Sequence, residues 1–210
     1  MNLKPFTLAV TYWIAIILVA HLFTPPGYIW TQNTISELAS QGHTYKWIMQ
    51  AGLSGFGALI VLAVGLFIFK TRRVIYPLLP IALYGFAILL SGIYCAAPID
   101  PSIPYSVSEA KLHSAFATTA GLSLSLGIFW RIFVSSNNRE RLAHFIFLAA
   151  VIGLSVLFGL AENDTIEIGK GIIQRLLYMS GFAWLIYQEH LLAGEESSLG
   201  TRSHKKELVS

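Results

Sequence analysis

The sequence predicts an all-α polytopic membrane protein in which six transmembrane helices form one bundle. Hydrophobic residues make up 55% of the 210-residue chain and charged residues only 12%, so the chain is more apolar and less charged than soluble domains. The mean hydropathy is +0.63. Six stretches are also apolar over about the 20 residues that a helix needs to cross a bilayer.

The predicted spans follow one another along the chain and all are poor in internal charge. They cover residues 6–23, 48–69, 74–96, 113–134, 143–160 and 171–193. The first has too long an apolar run for a secretory signal and no small-residue cleavage site after it, so we expect it to remain as a helix. Residues 1–193 are therefore predicted to form one transmembrane domain, and residues 194–210 a polar, mobile cytoplasmic tail.

Basic residues predict the orientation, because cytoplasmic loops of membrane proteins collect Lys and Arg. Six spans place both termini on one side, and ten of the 14 basic residues fall on that side, which predicts N-in and C-in. The ten are Lys4, Lys70, Arg72, Arg73, Arg131, Arg139, Arg141, Arg202, Lys205 and Lys206. The outer side has Lys46, Lys111, Lys170 and Arg175. Inner acidic residues, Glu189 among them, are expected in a basic turn or in the solvated tail.

Two short motifs of the outer side have the spacing of a capping box. In TISELAS, Thr34 is placed to cap the backbone near Glu37, and Glu37 to reach back to Thr34. Glu37 then either begins a short interfacial helix or faces a functional site, and the spacing alone does not choose between these roles. Ser106 and Glu109 repeat the motif where the fourth span opens.

His113 lies one turn beyond Glu109 and is predicted to face the interior of the bundle. Residues four apart share a helix face, so His113 begins a stripe with Ala117, Gly121 and Ser125, small side chains of the kind that let membrane helices approach closely. Ionisable groups at membrane depth are costly and usually functional. The alternative is a structural histidine that is hydrogen-bonded to a neighbouring loop.

Three further charged residues are predicted near the same outer end. Asp100 lies between Pro98 and Pro101, which hold it in a stiff extended turn. Arg175 lies about one turn inside the sixth span, and its expected partner is Glu37, Asp100 or Glu162, either in a ligand site or in a structural salt bridge. Glu162 is expected to cap or line the last outer loop.

The order of these motifs resembles the domain of unknown function 998 family of small prokaryotic membrane proteins. The segments that carry the resemblance run from about Pro26 to Leu176 and are PGY, TISEL, WIMQAG, GIYCAAPID and GIIQRL, with His113 opening the fourth span. The resemblance implies a six-helix bundle in a prokaryotic inner membrane, with shared polar positions at Ser36, Glu37, Asp100, His113 and Arg175. A fainter likeness connects it with DRAM-like proteins. His21, His43, His144 and His190 lie outside the family pattern.

The leading hypothesis is an outward-facing pocket for a lipid headgroup or a small polar ligand, with a lipid-modifying or metal-dependent hydrolase or transferase activity as one form of it. Glu37, Asp100 and His113 would act as acid, base or ligands of a divalent metal, with Ser36 as a candidate nucleophile that lacks a supporting elbow motif. Arg175, Glu109 and Glu162 would bind the ligand. The expected partners are membrane lipids and a small ligand, not nucleic acid. The single Cys95 excludes an internal disulfide and a CxxC site.

Three other functions stay open from the sequence. A proton-coupled or small-solute transporter would use Arg175 and His113, although the inner halves of the spans look nearly all apolar. A b-type haem carrier would use histidines at matching depths, His21 with His113 and His144 with His190. The last is a purely structural membrane protein whose charged outer end only ties the loops together.

Overall fold

The computed structural model describes residues 4–71 and 76–207, with side chains described for residues 4–70 and 76–194. Within these ranges the fold is all-α, and the only bridge of β type is an isolated parallel one between Ser40 and Ala96. The six helices are α1 (Pro5–Ala20), α2 (Lys46–Thr71), α3 (Leu78–Ile93), α4 (Val107–Val134), α5 (Asn138–Glu162) and α6 (Lys170–Glu207). Two 3-10 helices, His21–Phe23 and Ser36–Ala39, lie between α1 and α2.

In the part of the chain that the structure describes, four helical segments are long and apolar enough to cross a membrane. They are Pro5–Phe23, Lys46–Lys70, Val107–Val134 and Asn138–Glu162, while α3 is apolar but shorter, with 16 residues. Many large apolar side chains lie on the outer surface of the bundle, for example Leu18 at 66% exposure and Leu122 at 68%. This apolar exterior is typical of a protein whose surroundings are hydrocarbon.

The observed helix limits differ from the predicted spans where a local signal decides them. Helix α4 starts at Val107 because the Ser106 hydroxyl caps it, as the capping box predicted. Helix α3 ends at Ile93, before the predicted end, because the chain turns extended to pair with the loop after α1. Helix α6 continues through Glu207, so the backbone of the predicted polar tail is helical as far as that residue.

Some predicted features lie outside the described residues. Arg72, Arg73 and the predicted start of the third span at residue 74 fall in the gap 72–75. The side chains of Arg202, Lys205 and Lys206 are also outside the described part.

The helices form a ring in chain order, because each packs against the next and α6 packs against α1. Trp13 of α1 is fully buried at the centre, against Phe56 of α2 and Tyr178 of α6. Helices α2 and α3 approach so closely that a side chain on Gly57 or Gly85 would overlap the backbone of the other helix.

The bundle has two unlike ends. The loop end carries the three long connections 24–45, 94–106 and 163–169, and the turn end carries the two short connections 72–77 and 135–137. Every residue predicted to form the site lies toward the loop end.

Candidate functional site

The loop after α1 is folded by the capping box predicted from TISELAS. The Thr34 hydroxyl accepts a hydrogen bond from the Glu37 N–H at 3.2 Å, and Glu37 Oε2 accepts one from the Thr34 N–H at 2.6 Å. The Ser36 hydroxyl lies 3.1 Å from the Thr34 hydroxyl. Glu37 therefore has the structural role that the spacing indicated, and its second carboxylate oxygen remains for another partner.

That partner is Lys170, the first residue of α6. Its Nζ lies 3.0 Å from Glu37 Oε1 and 3.4 Å from Glu162 Oε2. Burial alone would lower the pKa of Lys170, but the charges of Glu37 and Glu162 and its hydrogen bonds to them raise that pKa above its usual value. One ammonium thus lies between two carboxylates at the loop end.

The same loop packs directly on the start of α6. The Ile172 N–H donates to the Thr31 carbonyl at 3.2 Å, and the Ile35 N–H donates to Gln174 Oε1 at 2.6 Å. A Cβ on Gly171 would overlap the carbonyl oxygens of Trp30 and Asn33. Glycine is needed here because the two backbones approach too closely for a side chain.

His113 is buried, with 4% of its surface exposed, and faces the bundle interior as predicted. Its Nδ1 lies 2.7 Å from the Ser91 carbonyl oxygen and 3.0 Å from that of Tyr94. Carbonyl oxygens only accept, so Nδ1 carries the proton, and the neutral ring has its lone pair on Nε2. The ring is therefore oriented by two carbonyls at the end of α3. This contact is close to the alternative that the sequence left open, a structural histidine hydrogen-bonded to a neighbouring loop.

A polar cavity of about 530 Å³, here called the loop-end cavity, lies in front of His113. Its walls come from the loop after α1, the segment after α3, and helices α4, α5 and α6. They are formed by Asn33, Thr34, Ser36, Glu37, residues 96–99, His113, Ser114, Ala117, Thr118, Phe158, Glu162, Lys170 and Gln174.

A second, largely apolar pocket of about 100 Å³ extends deeper between α3, α4, α5 and α6 and is called the inner pocket. It is lined by apolar and aromatic side chains that include Tyr84, Leu124 and Leu177. Both spaces share the wall residues Ser36, His113, Ala117, Phe158 and Gln174. His113 thus lies where a polar space meets an apolar one.

Asp100 lies apart from this site. Its side chain is solvent-exposed and accepts from the Ser102 N–H at 2.9 Å, and the hydrogen bonds from the Ser102 hydroxyl and N–H lower the pKa of the carboxyl group. Asp100 lines a different space, of about 330 Å³, with residues 40–44. The structure therefore does not bring Asp100 together with Glu37 and His113, and the described residues contain no group of three His, Cys, Asp or Glu side chains placed to hold a metal.

Glu109 and Arg175 both bind protein atoms. Glu109 Oε1 accepts from the Cys95 N–H at 2.9 Å, which ties the end of α3 to the start of α4. Arg175 donates to the carbonyls of Asn33 and Gly171, to the Tyr28 hydroxyl at 2.7 Å and to His21 Nε2 at 3.1 Å. The expectation that Arg175 pairs with Glu37, Asp100 or Glu162 is wrong for the described residues. Backbone carbonyls, a hydroxyl and an imidazole accept the hydrogen bonds of the guanidinium instead.

Protein atoms contact both ring nitrogens of His21, which the haem hypothesis paired with His113. His21 Nδ1 lies 2.8 Å from the Ile17 carbonyl and its Nε2 accepts from Arg175, so both ring nitrogens have protein partners. His144 Nδ1 accepts from the Trp184 indole at 3.1 Å, and His190 is exposed. His21 instead belongs to the group that holds Arg175.

The turn end is more polar than the sequence indicated. Glu189 is buried, and its carboxylate accepts from the N–H groups of Phe6 and Thr7 and from the Thr7 hydroxyl, so it caps α1 and is not in a solvated tail. His144 and Gln188 are fully buried. Within the described part of the chain, His144 Nε2 and both amide atoms of Gln188 have no hydrogen-bond partner.

Lys170 and Gln174 are two polar wall residues that the sequence did not lead us to place at the site. They are four apart at the start of α6, and this spacing places them on one helix face. This spacing could have predicted both residues, but Arg175 was predicted as the site residue of the sixth span instead, because it is a charge inside that span.

The family is decided by a match that covers most of the bundle. A family model described as "Protein of unknown function (DUF998)" matches residues 7–187. The chain belongs to the DUF998 family. No curated protein and no solved structure matches it. The matched region of this DUF998 protein contains both the loop-end cavity and the inner pocket, so the candidate site lies within the family domain.

Proposed function

We propose that this DUF998 protein is a six-span, N-in and C-in protein of a prokaryotic inner membrane, and that its loop-end cavity binds the polar group of a lipid or another small polar ligand from the outer side. The orientation rests on the basic residues, of which Lys70, Arg139 and Arg141 lie at or near the turn end. Helices α3 and α6 complete the six spans, α3 as a short apolar helix and α6 as a long but more polar one.

One observation carries the binding proposal. The polar loop-end cavity and the apolar inner pocket meet at His113, whose Nε2 lone pair is left available by the two carbonyl contacts at Nδ1. An imidazole that is fixed at the mouth of an apolar space with Nε2 unoccupied can accept a hydrogen bond from a ligand, and it can act as a base toward one. Ser36 and Gln174 add a hydroxyl and an amide to the same wall.

The test is native mass spectrometry of the protein released from bacterial membranes in mild detergent. His113→Asn keeps an N–H donor near the carbonyls of Ser91 and Tyr94 but removes Nε2. We expect the co-purified ligand occupancy to fall about fivefold, because one hydrogen bond of about 1 kcal/mol is lost. Asp100→Asn is the matched control and leaves occupancy unchanged. Equal occupancy in wild type and His113→Asn would contradict the proposal.

A proton-coupled carrier is the second candidate function, and the buried polar side chains of the turn end favour it. His144 and Gln188 give the inner half of the bundle polar groups that the sequence had not indicated. Proton uptake into proteoliposomes, followed with an internal pH dye, tests this candidate with Gln188→Leu against wild type. If the protein is a carrier, wild-type vesicles take up protons and Gln188→Leu abolishes this uptake. Wild-type vesicles that take up no protons would rule out this candidate function.

A further inference from the structure

The proposed function does not specify the chemical class of the ligand, and two features of the site limit the possible classes. The first is the shape of the α4 wall. His113 and Ala117 line both spaces, and Gly121 continues the wall into the inner pocket one turn deeper. A Cβ built on Gly121 meets nothing within 4 Å. The stripe of small residues therefore borders open space instead of a neighbouring helix.

The inner pocket suits an apolar chain. Its described walls are mainly apolar or aromatic, including Ile88, Leu124, Val151 and Leu177. The polar residues it shares with the loop-end cavity, Ser36, His113 and Gln174, all lie where the two spaces meet. A ligand that fills both spaces must be polar at one end and apolar at the other.

The second feature is charge. Among the described residues that line the loop-end cavity, Lys170 is the only Lys or Arg, and it is already paired with Glu37 and Glu162. Arg175 is held by carbonyls, Tyr28 and His21. The cavity therefore has two carboxylates and one ammonium, and no cation is left over for a phosphate group. It offers acceptors, namely His113 Nε2 and the half-exposed Glu162 carboxylate.

From shape and charge together we propose that the ligand is a lipid without phosphate. Its head donates hydrogen bonds through hydroxyl or amine groups, as the glycerol head of an acylglycerol does, and it lies in the loop-end cavity. The first few carbons of its acyl chain pass His113 and enter the inner pocket beside Gly121, because a space of about 100 Å³ holds only part of such a chain. The remaining carbons extend along the apolar outer surface of the bundle. This inference rests on the proposed function and adds the class of ligand to it.

The experiment measures binding of glycerol mono-oleate to the full-length protein in detergent micelles by native mass spectrometry titration. Gly121→Leu fills the inner pocket, and we expect at least a tenfold loss of affinity. Gly153→Leu on α5 is the matched control, because its Cβ also meets nothing within 4 Å but it does not line the pocket. The control keeps wild-type affinity. Gly121→Val replaces Gly121→Leu if the larger side chain prevents folding, which gel filtration detects.

The head is tested with oleoyl lysophosphatidic acid, which has a single oleoyl chain and a phosphate on its glycerol. We expect it to bind at least tenfold more weakly than glycerol mono-oleate, and equal or tighter binding would overturn the inference about the head. Equal affinity of wild type and Gly121→Leu for glycerol mono-oleate would overturn the inference about the tail. If His113→Asn still weakens binding in that case, the proposed function stands and only the inference fails. If His113→Asn also leaves binding unchanged, the proposed function and the inference both fail.

Discussion

Lys170 balances the charge of the loop end, because its ammonium lies 3.0 Å from Glu37 and 3.4 Å from Glu162. Glu37 has only 16% of its side chain exposed, so loss of Lys170 would leave a mostly buried carboxylate whose one remaining partner among the described residues is the Thr34 N–H. The capping interactions of Thr34 and Ser106 are of the same local kind. Thr34, Glu37 and Lys170 thus stabilise the loop after α1 and also line the loop-end cavity, whereas Ser106 caps α4.

Lys170→Met is expected to lower the free energy of unfolding by about 1 kcal/mol, the upper range for a partly exposed ion pair. The melting temperature should fall by about 2–4 °C in a chain of this size. Thermal unfolding in detergent, followed by tryptophan fluorescence, measures the change. Lys111→Met on the exposed face of α4 is the control and should leave the melting temperature unchanged.

The difference in stability between wild type and Lys170→Met should change with pH in one direction. The pKa of Lys170 is raised above 10.5, so its contribution to stability is fully present below that pH and is lost as the pH rises through the raised value. The gap between wild type and Lys170→Met should stay constant from about pH 7 to 9 and shrink only above 10.5. A gap that closes between pH 7 and 9 would show that Lys170 is not paired with these carboxylates.

At the scale of elements, the first turn of α6 and Glu189 in its middle hold other parts of the chain in place. Its first turn packs on the backbone of residues 30–33, and Glu189 near the turn end caps the first turn of α1. The first contact positions the loop that carries Ser36 and Glu37, and the second closes the ring between α6 and α1. Each contact gives a separate prediction.

Gly171→Ala should separate the loop from α6, because the added methyl group overlaps the carbonyl oxygens of Trp30 and Asn33. We expect a destabilisation of about 2–3 kcal/mol and faster proteolysis of the loop. Gly153→Ala is the control, since its Cβ meets nothing and alanine favours a helix by up to about 1 kcal/mol. Equal melting temperatures for the two variants would contradict the close packing of α6 on the loop.

Glu189→Leu should leave the first N–H groups of α1 without an acceptor, at a cost of about 2–3 kcal/mol. Glu189→Gln keeps one acceptor oxygen and should cost about 1 kcal/mol. Circular dichroism during thermal unfolding ranks the variants, with the exposed Glu167→Gln as the neutral reference. A Glu189→Leu protein as stable as this reference would mean that the carboxylate does not cap α1.

At the scale of the whole molecule, the sequence predicted those features that depend on residues close together in the chain, namely helix caps and the face on which a side chain lies. The capping box of Thr34 and Glu37, the Ser106 cap of α4 and the inward direction of His113 follow from spacings of three and four residues, and the structure has them. The reciprocal half of the Ser106 box is not formed among the described residues, because Glu109 accepts from the Cys95 N–H and the Ser106 N–H donates to Gln41. The partners of Arg175 and Lys170 could not be predicted, because they depend on how the loop after α1 folds onto α6. The small-residue stripe was predicted to let helices approach closely, but a Cβ on Gly121 meets nothing within 4 Å, and Gly121 lines the inner pocket. The sequence could not show this, because it depends on where α5 and α6 lie.

The central claim of the account is that the polar cavity opens to the outer side of the membrane. Thr118 lines that cavity and is exposed, and Ser136 is exposed at the turn end. In a Cys95→Ser background, Thr118→Cys and Ser136→Cys are treated in intact cells with a membrane-impermeant maleimide. We predict labelling of Thr118→Cys in intact cells and of Ser136→Cys only after the membrane is permeabilised. The reverse pattern would contradict the account.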